Sequence, residues 1–141
     1  MTHHERLIRL YKKAPIHDFY QGLDLQLEAG KAVITLPVDA RYFHGGMAVH
    51  GSVYFKLLDD AAYFACQTMV HDFFILTTNF NISLRRPITA GLLTATGLFE
   101  SVSDNVLKGT ATLTDDQGKV CGTGTGEFMK SKTGLGDLRD Y

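Results

Sequence analysis

A glycine-rich run, His44-Gly45-Gly46-Met47-Ala48-Val49-His50-Gly51-Ser52, leads into a long apolar stretch whose middle carries two adjacent acids, Asp59 and Asp60. The first N–H groups of a helix have no intrahelical acceptor, and they sit at the positive end of the helix dipole. A glycine loop in that place therefore aims donors at whatever lies in front of it, which suits a developing oxyanion. A carboxylate inside an apolar helix is costly unless it meets a donor, a solvated cleft or a ligand. Together the two features point to acyl-transfer chemistry, with a carboxylate as base or nucleophile.

The two acids cannot share one role, because neighbours on a helix point about 100° apart. Asp60 lies four residues after Lys56, which predicts a surface i,i+4 pair. Asp59 shares its stripe with Ser52, Phe55, Tyr63 and Cys66, none of them a cation. Asp59 is therefore the candidate catalytic acid. Gly51 and Asp59 are eight positions apart, about 12 Å along one helix, so a single carbonyl cannot touch both. If Gly51 N–H holds the oxyanion while Asp59 attacks or activates water, the two groups come from different subunits.

The segment from His50 to Cys66, HGSVYFKLLDDAAYFAC, resembles the signature of hotdog-fold acyl-CoA thioesterases of the phenylacetyl-CoA thioesterase (PaaI-like) family. In that family a His-Gly-Gly loop enters the central helix, and an Asp nine positions after the His serves catalysis, which is Asp59 here. Ser52 stands in place of the second Gly, and His44 stands six residues before His50, where many members carry Asn. The resemblance implies dimers or dimers of dimers with sites at the subunit interface, and coenzyme A as part of the substrate with no other cofactor. It also puts Thr77 and Thr78 where members place a hydroxyl that positions the attacking water. His50 and His44 then orient the thioester, with Ser52 and Tyr63 nearby. Arg85 and Arg86 are placed to meet coenzyme A phosphates.

The elements that must position these residues follow from periodicity. Leu7, Leu10 and Tyr11 are spaced as a short amphipathic helix over about Glu5 to Pro15. Alternation from Leu23 to Glu28 and from Lys31 to Leu36, around Ala29-Gly30, predicts a hairpin. A helix follows over about Gly51 to Val70, apolar on nearly every side and hence wrapped by the rest of the chain. Four strand-like runs come next, near Phe73 to Leu84, Leu92 to Val102, Val106 to Thr114 and Val120 to Met129. Gly122, Gly124 and Gly126 fall on one face of the last, which we read as curvature of the sheet over the helix. The expected architecture is α+β: a hotdog fold, one long helix wrapped by a curved antiparallel sheet of about six strands. It forms a single domain over residues 1–130, with a loose tail over 131–141. The run Phe73-Phe74-Ile75-Leu76, apolar on both faces, is a candidate edge for pairing with a second copy.

Composition narrows the alternatives. The chain has 141 residues, 45% hydrophobic and 21% charged, with a formal charge of −1, which gives no basic footprint for nucleic acid. No apolar run is long enough for a membrane span and no signal-peptide core opens the chain, so a cytoplasmic protein is expected. Cys66 and Cys121 read as buried free thiols. Metal-ligand spacings of the H-x-x-x-H or C-x-x-C type do not occur, so no metal is expected, and there is no G-x-S-x-G elbow. Two other readings of the same fold are an acyl-thioester hydratase or dehydratase, and a non-catalytic acyl-CoA binding or sensing module.

Overall fold

A computed structural model describes residues 1–141. Thr2 caps a first helix, α1 (His3–Lys12), by accepting from Glu5 N–H, and Leu7 and Tyr11 are its buried residues. A 3-10 turn over Pro15–Phe19 leads to the hairpin β1 (Asp24–Glu28) and β2 (Lys31–Pro37). Helix α2 (Gly51–Gln67) follows the glycine loop, and four strands complete the chain: β3 (Phe73–Leu84), β4 (Leu92–Ser103), β5 (Val106–Thr114) and β6 (Val120–Gly134). The six strands form one antiparallel sheet in the order β1-β2-β4-β5-β6-β3, so β3 and β1 are its edges. The sheet wraps α2, whose Leu57, Leu58, Ala61, Ala62 and Ala65 have no exposed surface. This is the hotdog architecture. No helix is long and apolar enough to cross a membrane.

The sheet approaches the helix most closely at Gly97 and Gly109, outside the three glycines expected, although Gly122 of β6 also faces α2, where a Cβ would lie 3.5 Å from Leu58 and from Tyr54. A Cβ on Gly97 of β4 would lie 2.0 Å from the Ala61 carbonyl oxygen, and one on Gly109 of β5 would lie 2.9 Å from Cys66 Sγ. Strand backbone and helix backbone touch there, opposite the small residues Ala61 and Ala62. Gly124 and Gly126 of β6 serve a different end: a Cβ on either would meet the Phe80 ring at 2.6 Å. The ring from β3 lies across the glycines of its neighbour and meets Phe55 of α2, with centroids 5.4 Å apart. An aromatic ring covering strand glycines restores the packing they lack.

The chain's end departs from expectation. Strand β6 continues past Met129, and Gly134 pairs with Phe73. Leu135 is buried, Arg9 donates to the carbonyls of Asp140 and Tyr141, and the Tyr141 hydroxyl bonds His3 Nδ1 at 2.6 Å. Residues 131–141 are thus not a loose tail. They are held mainly through backbone groups, which leave no apolar period in the sequence.

Candidate active site

Helix α2 begins where His50 turns out of helical conformation at φ −63°, ψ 144°. His50 Nδ1 accepts from Ser52 N–H at 3.0 Å and from the Ser52 hydroxyl at 2.8 Å. The imidazole is the N-cap, a place usually taken by Ser, Thr, Asp or Asn. His50 and Ser52 therefore hold the loop-to-helix corner, and both face a cleft beside Tyr20 and Tyr42 rather than the one reached by Gly51. With His50 occupying Ser52, the N–H of Gly51 has no hydrogen-bond acceptor within the chain.

Gly51 opens onto a cleft of about 420 Å³ shared with His44, Tyr54, Leu84, Arg85 and Arg86. His44 Nδ1 accepts from Gly46 N–H at 2.9 Å, which leaves Nε2 as its free donor. Gly46 must be glycine for this contact, since a Cβ would lie 2.8 Å from the imidazole. The Tyr54 hydroxyl donates to the Arg86 carbonyl at 2.6 Å and fixes the backbone beneath the two arginines. Neither guanidinium is paired with a carboxylate. An unpaired N–H at a helix start, a ring donor and two free cations make this cleft suited to anionic groups.

Asp59 opens onto a different cavity, of about 410 Å³, with mostly apolar walls that include Tyr63, Phe64, Phe74 and Leu76. Thr77 Oγ1 donates to Asp59 Oδ1 at 3.0 Å. Partial burial pushes the Asp59 carboxyl up from its ordinary 3.8 to about 6, with the Asp60 charge adding to the rise; the Thr77 hydrogen bond and the Lys56 charge act against it. A carboxylate poised near neutrality, with one oxygen oriented by a hydroxyl, is equipped to take a proton from water.

Of the two candidate threonines, only Thr77 reaches Asp59. Between Thr77, opposite Phe128, and Asn79, opposite Glu127, β3 carries one extra residue, Thr78, whose hydroxyl donates to the Glu127 carbonyl at 3.2 Å. This bulge re-aims the strand. Ile75 and Thr77 face the helix before it, and Phe80 and Ile82 face the helix after it, so one strand supplies both the partner of Asp59 and the ring over Gly124 and Gly126. Thr78 is turned into the sheet's own bonding and away from the acid.

Asp60 is paired, though not at the surface. Its Oδ2 accepts from Lys56 Nζ at 2.6 Å and from the Tyr11 hydroxyl at 2.8 Å, with both charged side chains under one-fifth exposed. Lys56 also donates to His17 Nε2 at 2.8 Å, and burial with the Lys56 charge lowers the His17 pKa. The N-terminal segment supplies Tyr11 and His17, which is why the pair is drawn inward. Tyr63 shows its ring to the cavity, but its hydroxyl bridges Gln67 Oε1 and the Ile75 carbonyl, at 3.1 and 2.8 Å, so it offers a surface and no free polar group.

Gln67 was not anticipated. Fully buried at the end of α2, it accepts from Ile75 N–H and donates to the carbonyls of Val70 and Phe73, which ties the start of β3 to the helix two residues before Thr77. The readable signal was a lone amide closing an apolar helix. Buried amides of this kind need every bond satisfied.

Residues 46–122, more than half of the chain, match the sequence profile of the thioesterase superfamily. The chain belongs to this superfamily, whose class of reaction is thioester hydrolysis. Its fold is that of the PaaI-like hotdog thioesterases. The PaaI protein of the phenylacetic acid degradation operon of E. coli is similar at 21% identity and TM-score 0.82, over 92% of this chain and 94% of that one. A thioesterase from Haemophilus influenzae is 18% identical at TM-score 0.77, over 91% and 90% of the two chains. A mutant thioesterase from Pseudomonas aeruginosa is 18% identical at TM-score 0.78, over 91% and 93%. No curated protein matches the chain.

Proposed function

We propose that the protein hydrolyses acyl-CoA thioesters at a site shared by two copies of the chain, with Asp59 from one and Gly51 from the other. The observation that carries this reading is the separation of the half-sites: Asp59 with Thr77 opens onto an apolar cavity, and the unpaired Gly51 N–H opens onto a basic cleft. Each half lacks what the other has. A thioester carbonyl needs a base and an oxyanion donor within hydrogen-bond reach of the same reacting group.

Strand β3 offers the means of joining them. It is a sheet edge of twelve residues, apolar and exposed at Phe73, Leu76 and Leu84. Thr77 marks the Asp59 half-site on this strand, and Leu84 marks the Gly51 half-site, since a Cβ on Gly51 would touch Leu84 Cδ1 at 3.4 Å. Two copies pairing antiparallel along β3, with Thr77 opposite the second copy's Leu84 and the bulged Thr78 outside the register, have their two-fold axis at Asn81. That register brings each Asp59 to the other copy's Gly51 and covers the β3 edge of each copy.

In the shared site the thioester oxygen lies against Gly51 N–H and His44 Nε2–H, and the coenzyme A phosphates lie against Arg85 and Arg86. Water held by Asp59 Oδ2 and Thr77 attacks the carbonyl carbon as Asp59 takes its proton. Collapse of the oxyanion breaks the carbon–sulfur bond, and the proton passes from Asp59 to the departing thiolate, giving free acid and thiol. Superfamily membership supports hydrolysis over the hydratase reading, which would release no thiol.

The shared site is tested with two inactive variants. Gly51→Pro removes the N–H and suits the first helical position, where proline is favoured and where His50 already holds a pre-proline conformation. Gly51→Pro and Asp59→Asn should each be inactive alone. Unfolded and refolded together at equal amounts, they should regain about one quarter of wild-type activity, because half of the dimers are mixed and each mixed dimer rebuilds one of its two sites. Mixed samples as inactive as either parent would refute the shared site.

A further inference from the structure

The cavity beside Asp59 has a second wall that the superfamily's common segment does not contain. The matched residues 46–122 supply Asp59, Tyr63, Phe64, Phe74 and Thr77, whereas Leu10, Pro15, Ile16 and Leu138 come from the two ends of the chain. These ends are fastened to each other. Arg9 of α1 holds the carbonyls of Asp140 and Tyr141, His3 bonds the Tyr141 hydroxyl, and the Arg6 guanidinium sits 5.6 Å from the Tyr141 ring centre. The clasp sets Leu138 against the cavity. Ile16 and Leu76 are about half exposed at the cavity's margin, large apolar groups left facing solvent.

Resting on the reading of the protein as an acyl-CoA thioesterase, we propose that the clasped termini form the acyl-selecting wall, with Ile16 and Leu138 setting the length of acyl chain accepted. The cavity that holds the base must also hold the substrate atoms beside the carbonyl. Its lining decides which side of the thioester that is. Pantetheine is rich in amides and ends in phosphates, which suit the cleft of Arg85 and Arg86; the apolar cavity suits the acyl group. Of the charged groups in its lining other than Asp59, Lys56, Asp60 and His17 bond to one another and Asp140 pairs with Arg139, which disfavours a polar acyl substituent. At about 410 Å³ it has room for an apolar group on the order of ten carbon-sized units, taking the ~30 Å³ share of a water as a guide. The substrate class is an unsubstituted apolar acyl group of that size.

The test measures kcat/KM for butyryl-CoA and decanoyl-CoA by thiol release on wild type, Ile16→Trp, Leu138→Trp and Leu138→Ala, with melting temperatures to confirm folding. Ile16 is half exposed, so its substitution leaves the core intact even if a Leu138 variant fails to fold. Filling the wall should lower the decanoyl-to-butyryl ratio by about tenfold or more in both Trp variants, and Leu138→Ala should raise it several-fold, within the range that hydrophobic pockets discriminate. Ratios within twofold of wild type in the folded variants, or moving in the same direction for Trp and Ala, would overturn the proposal while leaving the thioesterase reading in place. Absence of thiol release from every acyl-CoA by wild type would instead overturn that reading, and this inference with it.

Discussion

Asp59→Asn separates what the carboxylate costs the fold from what it contributes to the reaction. Burial lifts the Asp59 carboxyl from 3.8 to about 6, so at about 1.4 kcal/mol per pH unit the ionised form is disfavoured in the folded chain by roughly 3 kcal/mol. Asp59 retains contact with solvent, and screening leaves on the order of 1 to 2 kcal/mol of this in the stability of the fold. Below the unfolded pKa of 3.8 the group is protonated in both states and no penalty exists. As pH rises from there to about 6, the unfolded chain ionises first, so the folded state loses stability, and above about 6 the loss is complete. Asn has nearly the same shape, accepts the Thr77 hydroxyl through its amide oxygen and never ionises. The variant should therefore melt above wild type at pH 7.5, by about 2 to 8 °C for a chain of this size. The gap should close towards pH 4, while kcat falls by on the order of 10²-fold or more at neutral pH. Calorimetry at one fixed protein concentration is the assay, because the proposed assembly would make melting concentration-dependent. An Asn variant that melts below wild type at pH 7.5, or a gap that does not change with pH, would refute the argument that burial sets the Asp59 pKa.

Three further outcomes follow from named contacts. The kcat/KM profile should fall about tenfold per pH unit below about pH 6, where Asp59 becomes protonated. Thr77→Val should move this limb to higher pH by removing the bond that stabilises the carboxylate, and Asp60→Asn should move it to lower pH by removing a like charge, with only a few-fold change in plateau rate. His44→Asn should stay within a few-fold of wild-type kcat/KM, because an amide can also donate to the thioester oxygen, whereas His44→Ala should lose about tenfold or more; equal values for the two would remove His44 from the site. Gly97→Ala should cost about 3 kcal/mol or more in urea unfolding, since its methyl would meet the Ala61 carbonyl; a near-neutral effect would mean that β4 can move off the helix.

The frame was legible because its signals are side-chain signals. Alternation marked β1 and β2, strand-like runs marked β3 to β6, and the all-round apolar run from Gly51 marked a wrapped helix. Asp59 stood out as an acid with no cation on its stripe. What escaped depends on the backbone or on tertiary company. The docking of residues 131–141 runs through carbonyls gripped by Arg9, and the choice between Thr77 and Thr78 was decided by a bulge that the alternation does not record. Gly97 and Gly109 lie in strand-like runs with no further signal in the sequence, whereas of the three glycines in β6 read as a site of curvature, Gly124 and Gly126 make room for the Phe80 ring. The Lys56–Asp60 pair was recognised by spacing, but its burial depends on Tyr11 and His17 from another part of the chain.

In the proposed site the helix that makes the core also presents both halves of the chemistry, which is why that site takes two copies. An oxyanion donor belongs at a helix start, where N–H groups are free and the dipole is positive. A base with a pKa near 6 belongs further along, where enough of the helix is covered to desolvate it. Moving Asp59 one turn nearer Gly51 would bring it towards the exposed first turn, where solvent and the positive dipole end would both lower its pKa and weaken it as a base. Keeping both groups effective keeps them about 12 Å apart on one helix. The bulged edge strand that holds Thr77 against Asp59 also carries Leu84 against Gly51, so the element that orients each half-site is the one along which a second copy can supply the other.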